Sequence, residues 1–117
     1  MKKTHNLLNN ILIDIEKGIR NGINTDIIAG KHNLSSIHLQ RLFRFTFKQP
    51  LGAYIRSRKL TESLNDILYT DKKIIDIAFE YGYSFENSYS RSFKREFGIS
   101  PGNLRNSGQI VKIKGLV

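Results

Sequence analysis

Apolar residues recur along this chain at helical intervals and give no convincing sheet. Leu7, Leu8, Ile11, Leu12, Ile15 and Ile19 share one side of a helix, with Glu16 and Lys17 off the stripe, which predicts an amphipathic opening helix over residues 6–20. Gly22 and Asn24 end it, and Thr25 with Asp26 is the expected N-cap of a short second helix through Ile27, Ile28 and Ala29. Asn33 suits a turn that needs a left-handed residue. Ser35 is placed to cap a third helix ending near Phe47. On its period Leu39, Leu42, Phe43 and Thr46 face inward, while Ile37, Gln40, Arg41, Arg44 and Lys48 gather outside.

Pro50 opens a fourth, long helix through Tyr54, Ile55, Leu60, Leu64 and Leu68 to about Asp71. Its roughly 22 residues would span about 33 Å, close to the roughly 34 Å advance of one duplex turn. Ile74, Ile75, Ile77, Ala78 and Phe79 predict a short buried helix, followed by a turn over residues 80–83 and a helix capped by Ser84 and running to about Phe97. Tyr89, Phe93 and Phe97 make its core stripe, and Asn87, Ser90, Arg91 and Lys94 face outward, with Glu86 at the boundary of the two faces. A last short helix starts at Pro101 and includes Leu104 and Arg105, and Ile110 to Lys114 reads as a brief extended segment or as disordered chain.

The chain repeats itself about 50 residues on. Ala29, Asn33, Leu34, Ser35, Leu39, Arg41, Phe43, Arg44, Phe47 and Pro50 return as Ala78, Gly82, Tyr83, Ser84, Tyr89, Arg91, Phe93, Lys94, Phe97 and Pro101. The offset widens by single residues, as in duplicated helical units whose turns lengthen while their packing faces do not. The pattern therefore predicts an all-α fold of about seven helices. Two helix-turn-helix subdomains, residues 1–49 and 73–106, are joined by a linker helix over 50–72, with a tail from 107 to 117.

Charge sharpens this picture. Nineteen Lys and Arg stand against 10 Asp and Glu, a formal net charge of +9, which favours a polyanionic partner such as nucleic acid or an anionic membrane. From Ile27 to Thr61 there is no acid, yet Lys31, Arg41, Arg44, Lys48, Arg56, Arg58 and Lys59 fall inside that stretch. A merely solvated face mixes both signs. On the linker, Arg58 and Lys59 are within helical reach of Glu62.

Other chemistry is thin. Cysteine is absent, so disulfides, thiolate metal sites and cysteine nucleophiles are excluded. His5, His32 and His38 have no partners at metal-ligand spacing, so neither a metal nor a cofactor is expected. No nucleophile is paired with a base and no glycine loop cradles phosphate, which argues against an enzyme. Nothing has the length of a signal peptide or membrane span, and a cytoplasmic location without membrane association is expected.

The stretch His38, Leu39, Gln40, Arg41, Leu42, Phe43, Arg44, with Tyr54 to Leu60, resembles the first half of the DNA-binding domain of the AraC/XylS family of transcription regulators. Ile77 to Tyr83, then Ser90 to Lys94, then Phe97 to Pro101, resembles its signature second half. The likeness covers about residues 5–106. With no sensor domain in these 117 residues, the chain is expected to be similar to the family's stand-alone, MarA/SoxS-type activators.

The resemblance implies a bacterial, nucleoid-associated monomer that places two recognition helices in successive major grooves of promoter DNA and recruits RNA polymerase. Carried over by position, Ile37, His38, Gln40 and Arg41 would read bases from the first unit, and Glu86, Asn87, Ser88 and Arg91 from the second. Arg41 and Arg91 match guanine, Gln40 and Asn87 match adenine, and Ile37 matches a thymine methyl. Glu86 would either accept from a cytosine amine or weaken binding by repulsion. Ser35, Ser36, Arg44, Lys48, Arg56, Lys94 and Arg105 are the expected phosphate contacts. Three alternatives stand beside a sequence-specific regulator: a non-specific architectural binder, a protein-interaction module, and a fragment of a larger sensor-containing regulator.

Overall fold

A computed structural model of the chain describes residues 2–107. Among these are seven α-helices and one 3-10 turn, with no strand: α1 Lys2–Gly18, the turn Ile19–Asn21, α2 Thr25–Lys31, α3 Ser36–Phe47, α4 Leu51–Tyr69, α5 Ile74–Glu80, α6 Glu86–Phe97 and α7 Pro101–Ser107. The chain divides into two compact units, one ending at Arg58 and the other beginning at Lys59, so the division falls inside α4. The tail reading beyond Ser107, including Ile110 to Lys114, lies outside the described residues.

In the first unit α1 buries Leu8, Ile11 and Ile15, and the 3-10 turn buries Ile19. The opening helix thus ends two residues earlier than its periodicity suggests, in a tighter turn closed by Gly22 at φ 70. Asn24, rather than Thr25 or Asp26, caps α2: its extended backbone lets its side chain accept from the Ile27 N–H at 3.0 Å. His32 Nε2 lies 2.8 Å from Asp14 Oδ2 and ties the end of α2 to α1.

Both helix-turn-helix turns are built alike. Asn33 has φ 57 and Gly82 has φ 88. In each, the following N–H closes the preceding helix, Leu34 onto the Ala29 carbonyl at 2.9 Å and Tyr83 onto the Ala78 carbonyl at 3.0 Å. The left-handed residue is what lets the chain reverse so soon after the helix, and glycine or asparagine takes that conformation at least cost.

α3 buries Leu39 and Phe43. Thr46, expected inward, is exposed. The packed line runs Leu39, Phe43, Phe47, with the Phe43 ring 4.6 Å from Phe47 and 5.4 Å from Tyr54, and it slants away from Thr46. α4 begins at Leu51, because Pro50 sits outside it and supplies the carbonyl that accepts from the Tyr54 N–H at 3.1 Å. At 19 residues it is about 28 Å long, shorter than the sequence suggests. Arg58 pairs with Glu16 of α1, not with Glu62, through Nε and Nη2 at 2.8 Å each. That guanidinium holds the Glu16 carboxyl below its usual range, while burial lowers the pKa of the Lys59 ammonium.

In the second unit α4 buries Leu60, Leu64 and Ile67, α5 buries Ile77 and Ala78, and α6 buries Tyr89, Phe93 and Phe97. α5 is not buried all round: Ile75 and Phe79 are 39% and 50% exposed, since a two-turn helix packs only one strip. Two tyrosines anchor the unit to polar positions on α4, Tyr81 donating to Asp66 Oδ2 at 2.9 Å and Tyr89 donating to Ser63 Oγ at 2.8 Å. Burial pushes the Tyr89 phenol well up, so it stays a donor.

Candidate nucleic-acid interface

α3 begins at a capped end: the Ser35 hydroxyl accepts from the His38 N–H at 3.0 Å. From there Ile37, His38, Gln40, Arg41, Arg44 and Lys48 are all exposed, Ile37 at 63%. Ser36 is half-buried and its hydroxyl accepts from Gln40 Nε2 at 3.1 Å, which steadies the amide within the row. No acid lies on this helix. Phe45 also stands out at 77% exposure, with the Lys48 ammonium 5.2 Å from its ring centre. Arg56, on α4, is exposed as well.

α6 repeats the plan with different chemistry. Glu86, Asn87, Arg91 and Lys94 are exposed, and Ser88 and Ser90 are half-buried. Arg91 Nε donates to the Asn87 carbonyl at 3.4 Å, which lays the guanidinium back along its own helix. Asn87, Ser90, Arg91 and Lys94 line a shallow depression together with Ser100. Ser100 was not singled out in the sequence because it lies outside the duplicated helices, and its hydroxyl also caps α7 by accepting from the Asn103 N–H at 3.2 Å. Glu86 sits in the first turn and Lys94 in the last. Both charges complement the helix dipole, which gives Glu86 a local reason to be there.

The cap of α6 departs from expectation. Ser84 does not cap it; the chain carries one more residue before the helix, and Phe85 takes the N-cap position with no side-chain hydrogen bond. Arg105 is the other correction. Its guanidinium donates to the carbonyls of Ile67 at 3.1 Å, Asp66 at 3.1 Å and Lys72 at 2.6 Å, and so closes the C-terminal end of α4 instead of pointing at a phosphate. Nothing in local sequence marks this role, because the partners lie more than 30 residues away.

Among the described residues no group of His, Cys, Asp and Glu could hold a metal ion, and no helix is long and apolar enough to cross a membrane. What remains is cationic and polar side chains on two helices, each set behind a short helix that buries one strip and a tight turn. This arrangement defines a tandem helix-turn-helix protein. A family model described as "Helix-turn-helix domain" matches residues 28–107. The chain is 37% identical over 101 residues to the HTH-type transcriptional activator AarP of Providencia stuartii, covering 86% of this chain and 75% of that one. It is 34% identical over 100 residues to the regulatory protein SoxS of Escherichia coli strain K12, covering 86% and 94%. Its fold matches a solved AraC-type transcriptional regulator from Chromobacterium violaceum with a TM-score of 0.77 at 22% identity, covering 95% of this chain and 99% of that one. The chain belongs to the AraC-type helix-turn-helix family of DNA-binding transcription regulators.

Proposed function

We propose that this protein reads two major-groove segments of a bacterial promoter, one with α3 and one with α6, and activates transcription from it. A single observation carries the reading: both copies of the repeat leave the same helical face exposed and furnish it with arginine and amide side chains. Arg41 and Arg91 fork onto guanines, Gln40 and Asn87 pair with adenines, and Ile37 packs on a thymine methyl, with His38, Ser88 and Glu86 at the edges of the two faces. Ser35, Ser36, Arg44, Lys48, Arg56 and Lys94 hold the phosphates.

Phosphate contacts fix where the protein lies and base contacts fix which sequence it prefers. Both half-sites are read by one monomer. Likeness to AarP, itself named an activator, supports activation, and activation in turn calls for RNA polymerase as the protein partner. The reading assigns the chain no catalytic chemistry and places it on the nucleoid.

A non-specific architectural binder would share the charge but not the polar reading faces. Selection of bound oligonucleotides from a random pool, with unrelated DNA as competitor at moderate salt, separates the two. The proposal expects one enriched two-part sequence that survives the competitor. Affinity that falls equally for all sequences as salt rises would leave only phosphate binding and overturn it.

A further inference from the structure

The two units differ at one place that their shared plan does not explain. Before α3 stands Ser35, which caps it. Before α6 stands Ser84, its counterpart by sequence, and then the additional Phe85 that displaces it from the cap. A phenylalanine at an N-cap forgoes the side-chain bond that the helix end can accept, and this ring is also 70% exposed. Two unfavourable features meet on one residue. That residue directly precedes Glu86 and Asn87, at the leading end of the helix that bears Arg91.

We propose that Phe85 is a specificity-determining residue of the second unit and packs its ring on the 5-methyl group of a thymine in the major groove. The inference rests on the base-reading role of α6 proposed above. The leading residues of a recognition helix come nearest the base edges. The thymine methyl is the apolar group displayed there, and aromatic side chains are among its partners. Covering a hydrated ring returns water to the bulk, which an exposed position in the free protein leaves available. Being uncharged, the ring adds discrimination without adding to the salt dependence of binding.

The test compares the wild-type chain with Phe85→Ser in parallel oligonucleotide selections, followed by titration of the selected site with that thymine replaced by deoxyuridine. The wild type is expected to select thymine at a position where the variant accepts any base. Removing the methyl should weaken the wild type about four-fold and leave the variant unaffected. The variant's salt dependence should match the wild type's, and its melting temperature should not fall, since serine restores a cap. A wild type that selects a two-part site, with the same preferences in the variant and the same response to deoxyuridine, overturns the role of Phe85 alone. So does a variant whose only change is a lower melting temperature, which would make the ring a packing element. A wild type that selects no site overturns the base-reading proposal and this inference with it.

Discussion

Lys48 and Gly98 end the two exposed helices in the same left-handed conformation, at φ 60 and φ 81. Each donates its N–H back into the last turn, to the carbonyls of Arg44 and Lys94. The glycine adopts that conformation freely and the lysine does not, because its Cβ crowds the backbone at a cost of roughly 1–2 kcal/mol. Lys48→Gly is therefore expected to stabilise the first unit, by no more than about 0.5 kcal/mol once the greater freedom of glycine in the unfolded chain and the lost contact with the Phe45 ring are offset. The same change removes a proposed phosphate contact. Thermal unfolding should show the gain, while DNA titrations should show weaker binding with a salt slope shallower by about one.

Arg41→Ala and Arg91→Ala truncate exposed side chains and should leave folding stability within about 0.5 kcal/mol of wild type. Each is expected to cost about 1–3 kcal/mol of specific binding and to relax the preference at one base pair. Gel-shift series on the selected site and its single-base variants measure both effects. Wild-type affinity and preference in either variant would remove that arginine from the reading face.

Arg105→Ala takes three backbone carbonyls away from one guanidinium at the end of α4. Charge-assisted hydrogen bonds of this kind support a loss of about 2 kcal/mol. Arg105→Lys should recover little of it, since a single ammonium cannot span the three acceptors that a planar fork spans. Urea unfolding compares the three proteins. Equal stability of the alanine variant would show that water serves those carbonyls as well.

The Arg58 pair ties stability to pH through Glu16. Its carboxyl is held below the usual value of 4.5, so the pair contributes while the carboxylate is charged. The contribution is complete above the unfolded value and is lost as pH falls through the lower folded one. Glu16 is 46% exposed, which limits the effect to under about 1 kcal/mol. Glu16→Gln should lower the urea midpoint at neutral pH, and the gap to wild type should narrow as pH falls below the usual carboxylate range and the Glu16 carboxylate takes up its proton.

Two residues inserted after Arg58 would turn everything beyond them by about 200° about the axis of α4. Each unit keeps buried side chains of its own, Leu39 and Phe43 in the first and Tyr89 and Phe93 in the second. Circular dichroism should thus report the helix content retained, while footprinting should report the bipartite site lost. An unchanged footprint would show that the two units bind independently.

Much of this was legible in the chain because it was written twice. Asn33 and Gly82 gave the left-handed turns, and Leu39, Phe43, Tyr89 and Phe93 gave the packed lines, since a duplicated helix must conserve its inward spacing. Short helices were harder. Two turns of α5 offered Ile75 and Phe79 as core by composition, and only packing decides which strip of such a helix is covered. Caps shifted by one residue at Asn24 and Phe85, because several neighbouring side chains could serve and backbone geometry chose among them. Arg105 and Arg58 were harder for a different reason: their partners are remote in sequence, and local spacing offers only neighbours such as Glu62 or the solvent.

The hydrogen bond from Tyr89 to Ser63 has a consequence beyond the stability of the second unit. Apolar rings such as Phe93 and Phe97 hold the helix by close packing, but contact area by itself has no preferred direction. A buried hydroxyl pair does have one, and it pins α6 lengthwise against α4 like a dowel. Arg91 lies half a turn from that pin, so the hidden face of the helix sets where along α4 its visible face comes to rest.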